Sequence, residues 1–255
     1  MRKAWLLAGA VTASLATSGC VVVVGDDGDG KSWTAHTYAE GYQVVDRNGD
    51  YSRIGGDINL RGRIGGDLSL ISGDVDADEL EVGGDVSIAA GDVDFNGAVD
   101  GEVSIAGGDV NWLGSAGSDF SIAAGELTVR GDIAGEAAMA AASMHLDADF
   151  ADEVVAQADE MRVEGRISGP AKLVAAEEIK RRRMDDPEHG LIEISANLES
   201  GGDICARTVI FEPGARLGGE LRVWAESEPE IPAGMNASRV TFEYRDDRDC
   251  DDILD

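Results

Sequence analysis

The chain repeats itself with a period of 17 residues. Gly84-Asp85-Val86-Ser87-Ile88 returns as Gly101-Glu102-Val103-Ser104-Ile105 and again as Ser118-Asp119-Phe120-Ser121-Ile122. A period of this size dictates a stacked architecture, because one repeat is too small to bury its own apolar face. Three columns carry the period. An acidic one runs Asp67, Asp85, Glu102, Asp119, Glu136, Glu153, with a first step of 18 and later steps of 17. A second runs Asp57, Asp74, Asp92, Asp109, Glu126, Ser143, Glu160, Glu177, with a single step of 18. An apolar one runs Val82, Val99, Ala116, Ile133, Phe150, Ile167, all in steps of 17.

Short alternating runs follow both acids. After the first come Leu68/Leu70, Val86/Ile88, Val103/Ile105, Phe120/Ile122 and Ala137/Met139. After the second come Ile58/Leu60, Val93/Phe95, Val110/Trp112, Leu127/Val129, Met144/Leu146 and Met161/Val163. The residue between pair members is usually polar or small. Alternation with period two marks a half-buried strand, not a helix. Three short strands per repeat, parted by Gly-Asp corners, predict an all-β fold: a right-handed parallel β-helix, a triangular solenoid of ten or eleven coils. One coil alone cannot offset the entropy of ordering it. Stacked coils hydrogen-bond along every strand and line their apolar residues into continuous ladders, so stability becomes a sum over neighbours. Asp beside a corner Gly is expected to bond nearby backbone N–H groups of its own turn. Hexapeptide, pentapeptide and leucine-rich solenoids need other periods or an Asn ladder, and the Gly-Gly-x-Gly-x-Asp calcium repeat does not occur.

The register breaks at Glu177–His189. Within that loop insertion near 180–190, Lys180, Arg181, Arg182 and Arg183 form the one basic run beyond the leader, a candidate contact for an anionic partner; a solvated insertion is the plainer reading. The pattern resumes at Ile192/Ile194, Ile204, Val209/Phe211, Leu217 and Leu221/Val223, and Asp203 and Glu220 are again 17 apart. Gly218-Gly219-Glu220-Leu221-Arg222-Val223, then Glu228-Pro229-Glu230-Ile231-Pro232-Ala233-Gly234 and the closing strand Val240–Tyr244, resemble the terminal coils of bactofilin-like, polymer-forming proteins. The Gly-Asp-Val/Ile repeats of 55–133 resemble them too, and the likeness covers about 50–244. It implies a non-enzymatic structural protein that self-associates by stacking coils end to end. The chain departs from that family in its export signal, its number of coils and its acidity.

Met1-Arg2-Lys3 and the apolar run Ala4–Ala16 form a leader too short to span a bilayer. Thr17-Ser18-Gly19-Cys20 resembles the lipobox of bacterial lipoproteins, which implies a signal peptide over 1–19, acyl chains on Cys20 and a membrane anchor. A plain signal cut after Ala16 or Gly19 is the other reading. Val21 after the Cys implies, by resemblance to enterobacterial sorting, an outer-membrane lipoprotein facing periplasm or surface. Residues 20–49, with Gly25-Asp26-Asp27-Gly28-Asp29-Gly30, read as a flexible acidic tether, 50–244 as the solenoid and 245–255 as an acidic tail.

With 50 Asp+Glu against 21 Lys+Arg, the net charge is −29, which excludes nucleic acid as an ordinary partner. The acidic columns would place carboxylates about 4.8 Å apart. Asp57, Asp74, Asp92 and Asp109 are therefore weak metal candidates, against a plainer role in corner capping and solvation. His36, His145 and His189 fall at unrelated phases, and no nucleophile elbow, phosphate loop or His-Glu-x-x-His occurs, so no enzyme and no cofactor are expected. An oxidising envelope would favour pairing the two remaining thiols, Cys205 and Cys250, pinning the tail over a sheet edge at the last coil. The alternative to a scaffold is an adhesin-like or cation/glycan-binding solenoid.

Overall fold

The computed structural model describes residues 38–39, 42–175, 190–245 and 250. The chain is a β-solenoid of about 11 turns with about 17 residues per turn. A regular turn contributes one strand of four residues and one of eight, such as Val86–Ala89 and Asp92–Val99. The short strands form an 11-stranded sheet from Tyr51–Ile54 to Val240–Tyr244, and the long ones a 13-stranded sheet. Among the described residues every pairing is parallel except that of Tyr38–Ala39 with Tyr42 and Gln43. Val86, Val103 and Phe120 superpose rung on rung, as do Val99, Ala116, Ile133 and Phe150.

The third expected strand runs on from the second. In Asp92–Val99 the buried positions are Val93 and Phe95, then Val99, with Asn96, Gly97 and Ala98 left partly or fully exposed at a bend. The ladder turns this corner without losing its pairing, and Gly97, Gly114 and Gly131 stack on one another there. Gly131 has φ +123°, and a Cβ on it would overlap the Gly114 carbonyl oxygen, so only glycine fits. A regular turn thus sends five side chains inward, Val86, Ile88, Val93, Phe95 and Val99, all nearly solvent-free. Phe95 stacks on Trp112 at 4.5 Å between centroids, and Trp112 meets Phe120 edge-on at 5.1 Å.

The step of 18 becomes a β-bulge. Ala77 pairs with Phe95 and Leu80 with Gly97, so Asp78 and Glu79 together oppose Asn96, and Glu79 takes φ +49°. The solenoid also starts inside the span expected to be tether. Tyr42–Arg47 pairs with Ile58–Ile64, Gln43 opposite Leu60 and Val45 opposite Gly62, both 17 residues on. Val45 is buried, and Gln43 plugs the end of the core, accepting hydrogen bonds from Tyr51 Oη at 3.2 Å and Arg53 Nη1 at 3.0 Å.

Two later turns are longer. Ala171 pairs with Gly202, a step of 31, and the added chain falls between Ala175 and Gly190. Asp203 then pairs with Arg222, not Glu220, a step of 19, which corrects the expected register. The reason lies at Glu212–Ala215. Leu191 still meets Thr208 after 17 residues, but Asn197 meets Arg216 after 19, because the turn there holds two extra residues. At this end Ile231, Met235, Val240 and Phe242 pack against the core.

Candidate functional site

The first acidic column is consumed by the backbone. The Asp67 N–H donates to Asp50 Oδ1 at 3.1 Å, Asp85 N–H to Asp67 Oδ1 at 3.0 Å, Glu102 N–H to Asp85 Oδ1 at 2.9 Å and Glu136 N–H to Asp119 Oδ1 at 3.2 Å. Each carboxylate caps the corner of the next turn, not of its own as expected. A strand break leaves an N–H pointing along the solenoid axis, and the Asp one rung away lies in line with it. Glycine before the acid makes room: a Cβ on Gly66, Gly84 or Gly101 would overlap the carboxylate oxygen from the previous rung. The rule is written in the sequence. Asp50, Asp67, Asp85 and Asp119 are followed one turn later by Gly66, Gly84, Gly101 and Gly135. Glu102 and Glu136 are followed by Ser118 and Asp152, and Glu153 faces Pro170, which has no N–H. Among the described residues no Glu of this column makes the bond, and Glu153 N–H turns to Asp152 Oδ1 at 2.8 Å instead.

The second column differs. Asp74, Asp92 and Asp109 stand in register on the exposed corner, with Asp57 one turn before, and among the described residues their carboxylates accept no hydrogen bond. Parallel pairing keeps them in single file about 4.8 Å apart. Among the described residues no three His, Cys, Asp or Glu side chains converge as metal ligands would.

The few cations sit beside acids of adjacent rungs. Arg61 meets Asp78, Arg166 meets Asp149 at 2.8 Å, Arg162 meets Glu193, and Arg222 grips Asp203 through Nε at 2.7 Å and Nη2 at 2.9 Å. At the bulge Arg61 also lies over the Tyr42 ring at 5.0 Å. Its hydrogen bond to Asp78 holds that carboxyl below the usual range. Tyr42 donates its hydroxyl to Asp76 at 2.6 Å, which raises the phenol above its ordinary value. This cluster carries no repeat signature, because its members come from three different turns. His145 points outward, 3.9 Å from Glu164, and Trp112 points inward, as expected.

A shallow groove of about 360 Å³ follows the Ala116–Ile133–Phe150 corner. Asp100, Ser115, Asp132 and Asp149 line it, with Arg166. It arises because the bend in the long strand draws the wall inward to one apolar residue per turn.

Cys205 and Cys250 form a disulfide with Cα atoms 5.5 Å apart. It does not lie over a sheet edge. Ile204 points into the core, so Cys205 points out, and the bond fastens the tail to the outer face of the short-strand sheet. The edge itself is Val240–Tyr244. Cys20, the leader, most of the tether, Lys180, Arg181, Arg182 and Arg183 lie outside the described residues, as does the tail apart from Arg245 and Cys250. Among the described residues no helix is long and apolar enough to cross a membrane.

No family model, curated protein or solved structure matches the chain.

Proposed function

We propose that this chain is a non-enzymatic envelope lipoprotein, a rigid acidic rod that serves as a scaffold or polymer-forming structural protein. The observation that supports it best is the corner column. Asp50, Asp67, Asp85 and Asp119 spend their carboxylates on the solenoid's own backbone, which is what a stiff structural element needs. Eleven in-register rungs at about 4.8 Å give a rod roughly 50 Å long. Acyl chains on Cys20 would hold it to a membrane, each buried CH₂ adding about 0.8 kcal/mol. The bactofilin-like motifs of 55–133 and 218–244 support self-association by coil stacking.

Mass measurement of the N-terminal peptide tests the anchor: diacylglyceryl-modified Cys20 is expected, and a bare N-terminus after Ala16 or Gly19 removes it. Negative-stain imaging of the purified protein tests assembly, with filaments expected and a strict monomer at high concentration ruling polymerisation out. The second reading, a cation-binding solenoid, draws on the unbonded carboxylates of Asp57, Asp74, Asp92 and Asp109. Calorimetric titration with Ca²⁺ decides it, since neither heat nor thermal stabilisation is expected from a plain scaffold.

A further inference from the structure

We infer that the C-terminal tail is a strap over an apolar patch on the side of the rod, and that reduction of Cys205–Cys250 releases it. Val174, Cys205 and Trp224 are successive rungs of one outward column in the short-strand sheet. Earlier rungs of the same column hold Ala89, Ala106, Ala123 and Ala140, all exposed. At the C-terminal end the column turns apolar, yet only 6%, 0% and 6% of these three side chains meets solvent. Their cover comes from the other side of the sheet from the core. Val174, Cys205, Trp224 and Cys250 form a cluster of their own, separate from the main one. Arg245, 7% exposed, lies against it, with Glu226 at 3.6 Å and Cys250 Sγ at 3.8 Å.

The composition of the tail opposes this closure. Residues 246–255 carry six Asp and one Arg, and they must lie along a body of the same sign. Asp203, Glu220 and Glu243 stand on the three neighbouring strands. Like charges at such distances repel. Among the described residues the tail's apolar contribution to the patch is the Cys250 side chain itself. Covalent closure therefore holds in place a segment that charge pushes away. A dithiol reductant reverses it. One of its thiolates attacks Sγ of Cys250, the more accessible sulfur at 4% exposure against 0% for Cys205, and Cys205 leaves as the thiolate. The second thiol of the reductant then displaces Cys250, the reductant departs as its cyclic disulfide, and its two protons end on the two protein thiols.

The test uses the exported chain and dithiothreitol, read by tryptophan emission, alkylation mass and trypsin cleavage at Arg248. Reduction should red-shift emission, allow both cysteines to be alkylated, and speed Arg248 cleavage by about tenfold or more, with the far-UV sheet signal unchanged. Trp224→Phe should abolish the emission shift, which assigns it to the patch. Cys250→Ser should show the released state without reductant, and salt at about 1 M should slow its cleavage by screening the repulsion. Full alkylation with unchanged emission and cleavage would overturn the strap, since the tail would then stay docked without its bond. Loss of the sheet signal on reduction would overturn it too, by making the disulfide a staple of the whole fold. Cleavage indifferent to salt would overturn the charge argument.

Discussion

Trp112 and Trp224 are both nearly out of water, and the causes are opposite. Trp112, in the central turns, points inward between Phe95 and Phe120. Its burial follows from the period, because every residue of that column faces the axis. Trp224, in the C-terminal turns, points outward, donates its indole N–H to Glu243 at 3.2 Å and lies under Arg222 at 5.2 Å. It is dry because the tail comes back over it. The pair separates two kinds of cohesion. In-register stacking buries one face of every rung automatically, whereas burial on the other face requires a segment from outside the period.

Breaking the first kind should cost most. Trp112→Ala removes a ring shared by neighbouring rungs and should destabilise by about 3–5 kcal/mol in denaturant unfolding. Trp224→Ala should cost less, about 1–3 kcal/mol, and should loosen the tail in protease digestion before it lowers the midpoint of the whole rod. Equal costs for both would erase the distinction. Next comes the bond that creates the second kind. Cys250→Ser frees a loop with a sequence separation of 45 and should lower stability by about 2–4 kcal/mol, chiefly through the unfolded chain.

A smaller effect sharpens the account of the central turns. Asp85→Ala strips the cap from Glu102 N–H and should cost about 0.5–1.5 kcal/mol. Glu102→Ala, one rung later in the same column, removes no such bond and should stay within about 0.5 kcal/mol. If both cost the same, corner capping is not what the Asp residues do. The smallest effect is acid sensitivity at the bulge. Asp78 is held below its model-compound value of 3.8 by Arg61, so its contribution is present above that value and fades as pH falls through the lower folded one. An NMR titration of the Asp78 carboxyl in wild type and Arg61→Gln should show the midpoint rise toward 3.8 in the variant.

The columns of Val82, Val86 and Val93 were legible because a constant step and period-two alternation leave one arrangement that buries them all. The Gly-Asp corners were legible as corners, but their bonding was not. Whether an Asp caps its own turn or the next depends on where the neighbouring rung stands, and that is a distance, not a spacing. The late turns were misjudged for the same reason. Asp203 and Glu220 keep the interval of 17, yet two residues inserted at Glu212–Ala215 move Arg222 into the partner position. An interval counts residues along the chain, while pairing follows the path those residues take.

Sequence alone determined that this chain winds into a parallel solenoid and which side chains face its axis, since stacking lets a repeated apolar residue meet its own copy. Tertiary structure alone decided what the outward positions do: which carboxylates bind backbone, which cations find acids, and that Val174, Cys205 and Trp224 lie beneath a tail. Period two states only that such a side chain points away from the core. What it meets there is set by segments that obey no period, and only their path in space brings them to it.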